Sequence, residues 1–167
     1  MHTQNTHTVW DGYACILYTD HCNEKPLGME SGAIPDSSIT ASSTYLPSYP
    51  PHSARLNKNR LGWAPKTNAA GEWIQVDLGK VKEVTAVATQ GENRVKSYWV
   101  KSYILQYSND GKTFTSYQGG KVFNGNTNYN TVVKNAIQPP IYARYIRLVP
   151  KTYHRHKIMR MELYGCK

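Results

Sequence analysis

"EWIQVDLGKVKEVTAVATQG", residues 72–91, places Ile74, Val76 and Leu78 on one side of an extended chain and Gln75 and Asp77 on the other. A period of two is the strand signature, because successive side chains leave a pleated backbone on opposite faces. The second half, "VKEVTAVATQG", is rich in β-branched residues and reads as a second strand. Working outward, "WVKSYILQYS" (99–108) is a strand that ends at "NDGK". There Asp110 and Gly111 are a hairpin signal of the primed-turn kind, with "TFTSY" (113–117) as the returning strand. In "RYIRLVP" (144–150), Ile146 and Leu148 alternate, and in "IMRMELYGC" (158–166), Met159, Met161 and Leu163 do the same. No window long enough for a stable helix carries an apolar period of 3.6 residues, so the chain reads as an all-β sandwich or barrel.

The 167 residues suffice for one domain with a sizeable core and are short for two. With 40% hydrophobic and 19% charged residues, the chain is too apolar for disorder. Thirteen tyrosines against two phenylalanines suit surfaces and interfaces, where the ring buries area and the hydroxyl stays wet. The formal charge of +9 favours anionic partners: sulfated glycans, acidic lipid headgroups or nucleic acid. No apolar run reaches the length of a membrane span, and the opening "MHTQNTHTVWDGYACILYTDHC" lacks the basic start and apolar stretch of a signal peptide. Residues 1–21 show no sustained period and read as a leader or arm joined to a domain over 22–167. Three cysteines, Cys15, Cys22 and Cys166, leave one over whichever two pair, and an N-to-C staple would imply an oxidising compartment. No Asn-x-Ser/Thr glycosylation acceptor occurs.

"CNEKPLGMESGAIPDSSITASS", "ARLN", "EWIQVDLG", "VTAVATQG", "VKSYILQYSNDGKTF", "VFNGNTN", "PPIYARYIRLVP" and the closing "MRMELYGC" resemble, in order, the discoidin family, or coagulation factor 5/8 type C domains. The likeness covers residues 22 to 166, and "PLGMESG" with "EWIQVDLG" looks most like the neuropilin-type members. It implies an eight-stranded antiparallel jelly-roll sandwich of the galactose-binding-like kind, with a disulfide between Cys22 and Cys166. Closing so long a loop removes denatured-state entropy worth about 5 kcal/mol in the chain-entropy treatment. Cys15 is then left for a bridge between chains, or free. The resemblance also implies an extracellular or cell-surface location, which argues against nucleic acid as a partner.

"ASSTYLPSYPPHSARLN" (41–57) carries prolines at 47, 50 and 51, which cannot donate to a ladder, so the segment is a surface loop and its rings are expected outward. By resemblance it is one of several ligand-meeting spikes at one end of the sandwich, with "GWAPKTNAAGEW" (62–73) and "GENRVKSYW" (91–99) as others. The implied ligand residues are Tyr45, Leu46, Tyr49, His52, Asn68, Arg94, Lys96 and Tyr98, joined by His154, Arg155 and His156 from "KTYHRHKIMR" (151–160). Trp63 and Tyr45 have a competing reading as loop anchors folded back on the sandwich.

Three ligand classes compete. Neuropilin-like domains take a C-terminal arginine between aromatic walls that match Tyr45, Tyr49 and Tyr98, yet the pocket's carboxylate aligns with Asn68 here, which removes a charge-assisted partner. Relatives that bind phosphatidylserine insert bulky apolar tips, for which this chain offers Leu46, Val95 and Trp99 with Arg94 and Lys96 beside them, a few kcal/mol at roughly 25 cal/mol per Å². Tyrosines with His52, Asn68 and Arg94 fit a polar or anionic carbohydrate better, and this is the preferred reading.

The basic run 151–160 holds Lys151, Arg155, Lys157 and Arg160, and reads either as a solvated turn or as an anion site. His154 and His156, in a strand, would face one side and could chelate a metal, but two ligands are too few, and the sequence gives no support for calcium or another cofactor. Arg160 and Glu162 read as a structural pair, and "RLNKNR", with Arg55, Lys58 and Arg60, as a solvated face. Without a Gly-rich phosphate loop, a nucleophile elbow or zinc spacing, and with Cys15 and His21 outside the matched domain, the chain is not read as an enzyme.

Overall fold

The computed structural model describes residues 22–58 and 61–166, together with the backbone of 6–10 and 15–19. Strand β1 (Thr6–Trp10) pairs antiparallel with β2 (Cys15–Thr19). The side chains of Cys15 and His21, and all of Arg60, lie outside the described residues.

From Cys22 onward the strands are β3 (Lys25–Pro26), β4 (Ile39–Ala41), β5 (Ile74–Gln90), β6 (Trp99–Ser108), β7 (Thr115–Ser116), β8 (Phe123–Asn124), β9 (Val133–His154) and β10 (Arg160–Cys166). Hydrogen bonds join these eight in the order β3-β10-β5-β9-β6-β7, with β4 added to β5 and β8 to β6. The result is the expected antiparallel β-sandwich, and its only helical pieces among the described residues are three 3-10 turns.

One hydrogen-bonded sheet becomes two layers because β5 and β9 bend across both. Their register shifts between Asp77 and Lys82 and again between Val84 and Ala86, so residues 74–77 pair with the far half of β9 and 82–89 with its near half. Strands that change layer at such irregularities make the corners of a sandwich. The sequence suggested two strands over 72–91, whereas the chain runs as one bent strand. The hairpin at Asp110 also differs. The Asp110 carboxylate accepts Ser108 Oγ–H and the Lys112 and Thr113 N–H groups, building a wider loop that leaves only Thr115 and Ser116 in the returning strand.

Between the layers lie the residues that period two placed inside: Ile74, Val76, Leu78, Ile146, Leu148, Met159, Met161 and Leu163 are all buried. Glu162, on the same strand, is buried too, and its carboxylate accepts backbone N–H from Met29 and Glu30 at 3.0 and 2.9 Å and from Leu163 at 2.9 Å. It therefore fastens the "PLGMESG" segment onto β10. Cys22 and Cys166 are disulfide-bonded, their Cα atoms 5.7 Å apart, as the resemblance implied.

Candidate functional site

The candidate site grows from three loops that leave the sandwich near the start of β6 and the end of β9. The loop 42–50 is held by its backbone. Tyr45 N–H donates to Ala64 C=O, and Tyr49 N–H closes a turn onto Leu46 C=O, each at 2.9 Å. That turn splits the rings. Tyr45 and Leu46 stand 51% and 46% exposed, whereas Tyr49 is 8% exposed and packs with Ala64 and Ile158. The expectation that all the rings face outward is therefore corrected for Tyr49: prolines keep the segment out of a ladder, but its own turn folds this ring back onto the domain. Burial first, and then the nearby Glu92 charge, push the Tyr49 hydroxyl pKa up.

Trp63 is the anchor of the second loop. It is fully buried, its indole N–H donates to Ser43 C=O at 2.9 Å, and its backbone exchanges two hydrogen bonds with Met159. Asn68, placed among the ligand residues from sequence, supports the turn behind them, because its Oδ1 accepts Lys157 N–H at 3.1 Å. Glu72 ties the same loop together by accepting the hydroxyls of Ser42, Ser43 and Thr67.

The third loop, 91–98, is organised by Glu92, which the sequence reading passed over. Its carboxylate is fully buried and accepts the N–H groups of Arg94, Val95 and Lys96 at 2.8 to 3.2 Å. This wraps the loop around one anion and drives Val95 outward to 52% exposure. Gly91 lies directly below, where a Cβ would sit 2.6 Å from Tyr98 O, so the loop closes this tightly only with glycine there.

Together these loops and the 155–158 turn enclose a cleft of about 370 Å³ lined by Tyr45, Tyr49, Tyr98, Arg155, His156 and Val95. Its size is within the range of small-ligand sites. Tyr45 leans against both neighbours, its ring centroid 6.4 Å from Tyr49 and 5.4 Å from His156. Five of the residues expected at the site thus meet in one cleft. Arg94 and Lys96 belong to its rim loop, with the Lys96 ammonium 5.8 Å from the Tyr129 ring. His52 sits apart, exposed in the 3-10 turn Pro51–Ala54.

Arg155 adopts a left-handed backbone, φ 62°, and this breaks the alternation assumed for the two histidines. His154 remains at the end of β9 and stacks on Trp99, centroids 4.1 Å apart and 10° from parallel, while His156 turns into the cleft. They do not face one side, so they cannot chelate together. Among the described residues, the three-ligand grouping of Cys22, Glu83 and Cys166 has both sulfurs committed to the disulfide.

The basic run is not a four-cation patch either. Lys157 is buried, with its ammonium donating to Ala69 C=O at 2.7 Å, and Arg160 is buried with Nε donating to Gly91 C=O at 2.8 Å. Arg160 and Glu162 serve different segments, since Glu162 holds residues 29 and 30. Arg55 of the second basic cluster is likewise spent, donating to Met29 C=O and Ile34 C=O at 2.8 Å and pairing with Asp36 at 2.5 Å.

Burial and the adjacent Lys157 ammonium push the His156 pKa below its ordinary 6.5. On acidification the unfolded chain therefore takes up this proton before the folded one does. The stability associated with a neutral His156 is full above about pH 6.5 and is lost progressively below it. His156→Phe, which keeps a ring against Tyr45 but cannot titrate, should show a shallower fall in Tm between about pH 7 and pH 5 than the parent. Parallel curves would refute the assignment.

Residues 38–163 match the family model for the F5/8 type C domain. The human EGF-like repeat and discoidin I-like domain-containing protein 3 (Homo sapiens) is 44% identical over 155 residues, covering 85% of this chain and 32% of that protein. Neuropilin-2 of Rattus norvegicus is 38% identical over 172 residues, covering 94% of this chain and 18% of the relative. The chain thus spans a third or less of the length of these relatives. Among solved structures, discoidin II from Dictyostelium discoideum superposes with a TM-score of 0.72 at 28% identity, covering 77% of this chain and 54% of that one.

Proposed function

The chain belongs to the F5/8 type C domain family, and from that premise we propose that it is an extracellular, non-catalytic recognition module that holds a polar or anionic glycan in the cleft of Tyr45, Tyr98, Arg155 and His156. The observation that carries this reading is the convergence of rings and unspent polar groups from three separate loops on one open cleft. No described residue hydrogen-bonds the hydroxyls of Tyr45 and Tyr98 or the guanidinium of Arg155. A sugar ring can lie against a tyrosine face while its hydroxyls or a carboxylate engage such groups. The overall charge of +9 favours an anionic ligand. The Cys22–Cys166 disulfide agrees with an oxidising, extracellular setting.

The C-terminal-arginine reading loses support, because no carboxylate lines the cleft and Asn68 is committed to the turn at Lys157. A second reading, adsorption to anionic phospholipid, is favoured by one observation: Leu46 and Val95 stand about half exposed at the same end. Two small apolar tips give a few kcal/mol at roughly 25 cal/mol per Å², marginal for lasting attachment. Residues 1–21 act as an arm ahead of the domain, and Cys15 would allow two copies to be bridged, raising retention through multivalency.

Tyr45→Ala and Arg155→Ala, both at exposed positions, should each lower retention on immobilised acidic glycans by about tenfold or more while changing unfolding free energy by no more than about 0.5 kcal/mol. Retention equal to the parent in both variants would remove the cleft from consideration. Leu46→Ser should leave glycan retention intact and would matter only if the lipid reading holds.

A further inference from the structure

On the other side of the 154–156 turn lies a second groove, of about 460 Å³, between the start of β6, the end of β9 and the crossing segment 124–127. We propose that this groove is a separate site for an acidic sugar residue, a hexuronate or a sulfated hexose. The inference stands independently of the ligand assigned to the first cleft.

The groove is built by the backbone. Gly125 and Asn126 donate to Lys101 C=O and Val100 C=O, each at 2.8 Å, pinning the crossing segment onto β6. A Cβ at Gly125 would lie 2.6 Å from Val100 O, so glycine is required for that approach. Asn126 is buried and fully used, exchanging hydrogen bonds with Thr89 and donating to Thr131 C=O. These residues form a rigid floor.

The walls are different in kind. Trp99 and His154 stack nearly parallel at 4.1 Å and remain partly exposed, presenting an aromatic plate to the groove. Lining the groove with Trp99 and His154 are Lys101, Asn124 and Thr127, whose side chains carry an ammonium, an amide and a hydroxyl. None of these groups hydrogen-bonds another described residue. Asn68, Asn128 and Asn135, by contrast, have side chains consumed internally. A plate ringed by unspent donors suits a sugar face, and the single formal charge, Lys101, with no acid in the lining, selects an anionic one. The plate and the first cleft are adjacent in sequence because Tyr98 and His156 turn one way, and Trp99 and His154 the other.

The test is titration of the full chain, at physiological salt, with glucuronate, galactose 6-sulfate and neutral galactose, following the Trp99 indole N–H resonance assigned with Trp99→Phe. The proposal expects a saturable shift with the two acidic sugars that exceeds the response to galactose. Lys101→Gln, at an exposed side chain without a protein partner, should weaken it about tenfold, the scale of a lost charge-assisted hydrogen bond. Tyr45→Ala should leave the titration unchanged. An unmoved indole resonance, an equal response to neutral galactose, indifference to Lys101→Gln, or loss of the shift in Tyr45→Ala would each overturn it.

Discussion

Replacing Glu92 with alanine should lower the unfolding free energy by about 3–4 kcal/mol and remove the cleft's share of glycan retention, although this carboxylate is fully buried and contributes no surface to the cleft. Three backbone N–H groups, of Arg94, Val95 and Lys96, lose their acceptor at once. The buried Arg160 guanidinium also loses the counter-charge that offsets its desolvation. Without the central anion, the loop from Gly91 to Tyr98 no longer holds Val95 and Tyr98 as cleft walls. Glu92→Gln preserves the shape and one acceptor oxygen but places an amide N–H₂ where N–H groups converge, so it should be affected in the same direction by less. Chemical denaturation together with retention on glycan resin measures both effects. Near-parent stability in Glu92→Ala would mean that the loop is held by something other than this carboxylate.

Opening the Cys22–Cys166 disulfide, by Ser substitution at both positions, should cost about 3–5 kcal/mol, because the bond closes a sequence separation of 144 residues. For a domain of this size the corresponding drop in Tm is roughly 10 °C, and the denaturant m-value should rise as the unfolded chain expands. The fraction still folded should bind as before. β10 carries the chain from Arg160, beside Gly91, to Cys166, beside Glu83, about 20 Å along the strand. Reduced affinity in the folded fraction would show that the bond shapes the site as well as the unfolded state.

What could be read in advance follows from which signals are local. Alternation at Ile74, Val76 and Leu78, or at Met159, Met161 and Leu163, survives folding because a strand's two faces are set by its own backbone. The continuity of β5 was hidden, since Gly79, with Asp77 two residues before it and Lys80 after it, has the composition of a turn, while the chain runs on through a register shift. Charge misled most in residues 151–160. Lys157 and Arg160 look like surface cations, yet their partners, the carbonyls of Ala69 and Gly91, are remote in sequence. The histidines failed for one local reason: a period of two requires extended backbone throughout, and Arg155 at φ 62° supplies the exception. Tyr49 and Tyr45 could not be separated, because the four-residue turn between Leu46 and Tyr49 sends one ring in and leaves the other out. Glu92 carried a faint signal, an acid two residues ahead of the spike whose N–H groups it gathers.

The most direct test of a glycan-holding cleft is an array of neutral and acidic glycans run beside sedimentation with phosphatidylserine vesicles, on parent and Tyr45→Ala protein, at low and physiological salt. The account predicts selective binding to acidic glycans that persists at physiological salt, falls by about tenfold or more in Tyr45→Ala, and exceeds any vesicle association. Vesicle binding without glycan selectivity, or glycan binding untouched by Tyr45→Ala, would contradict it.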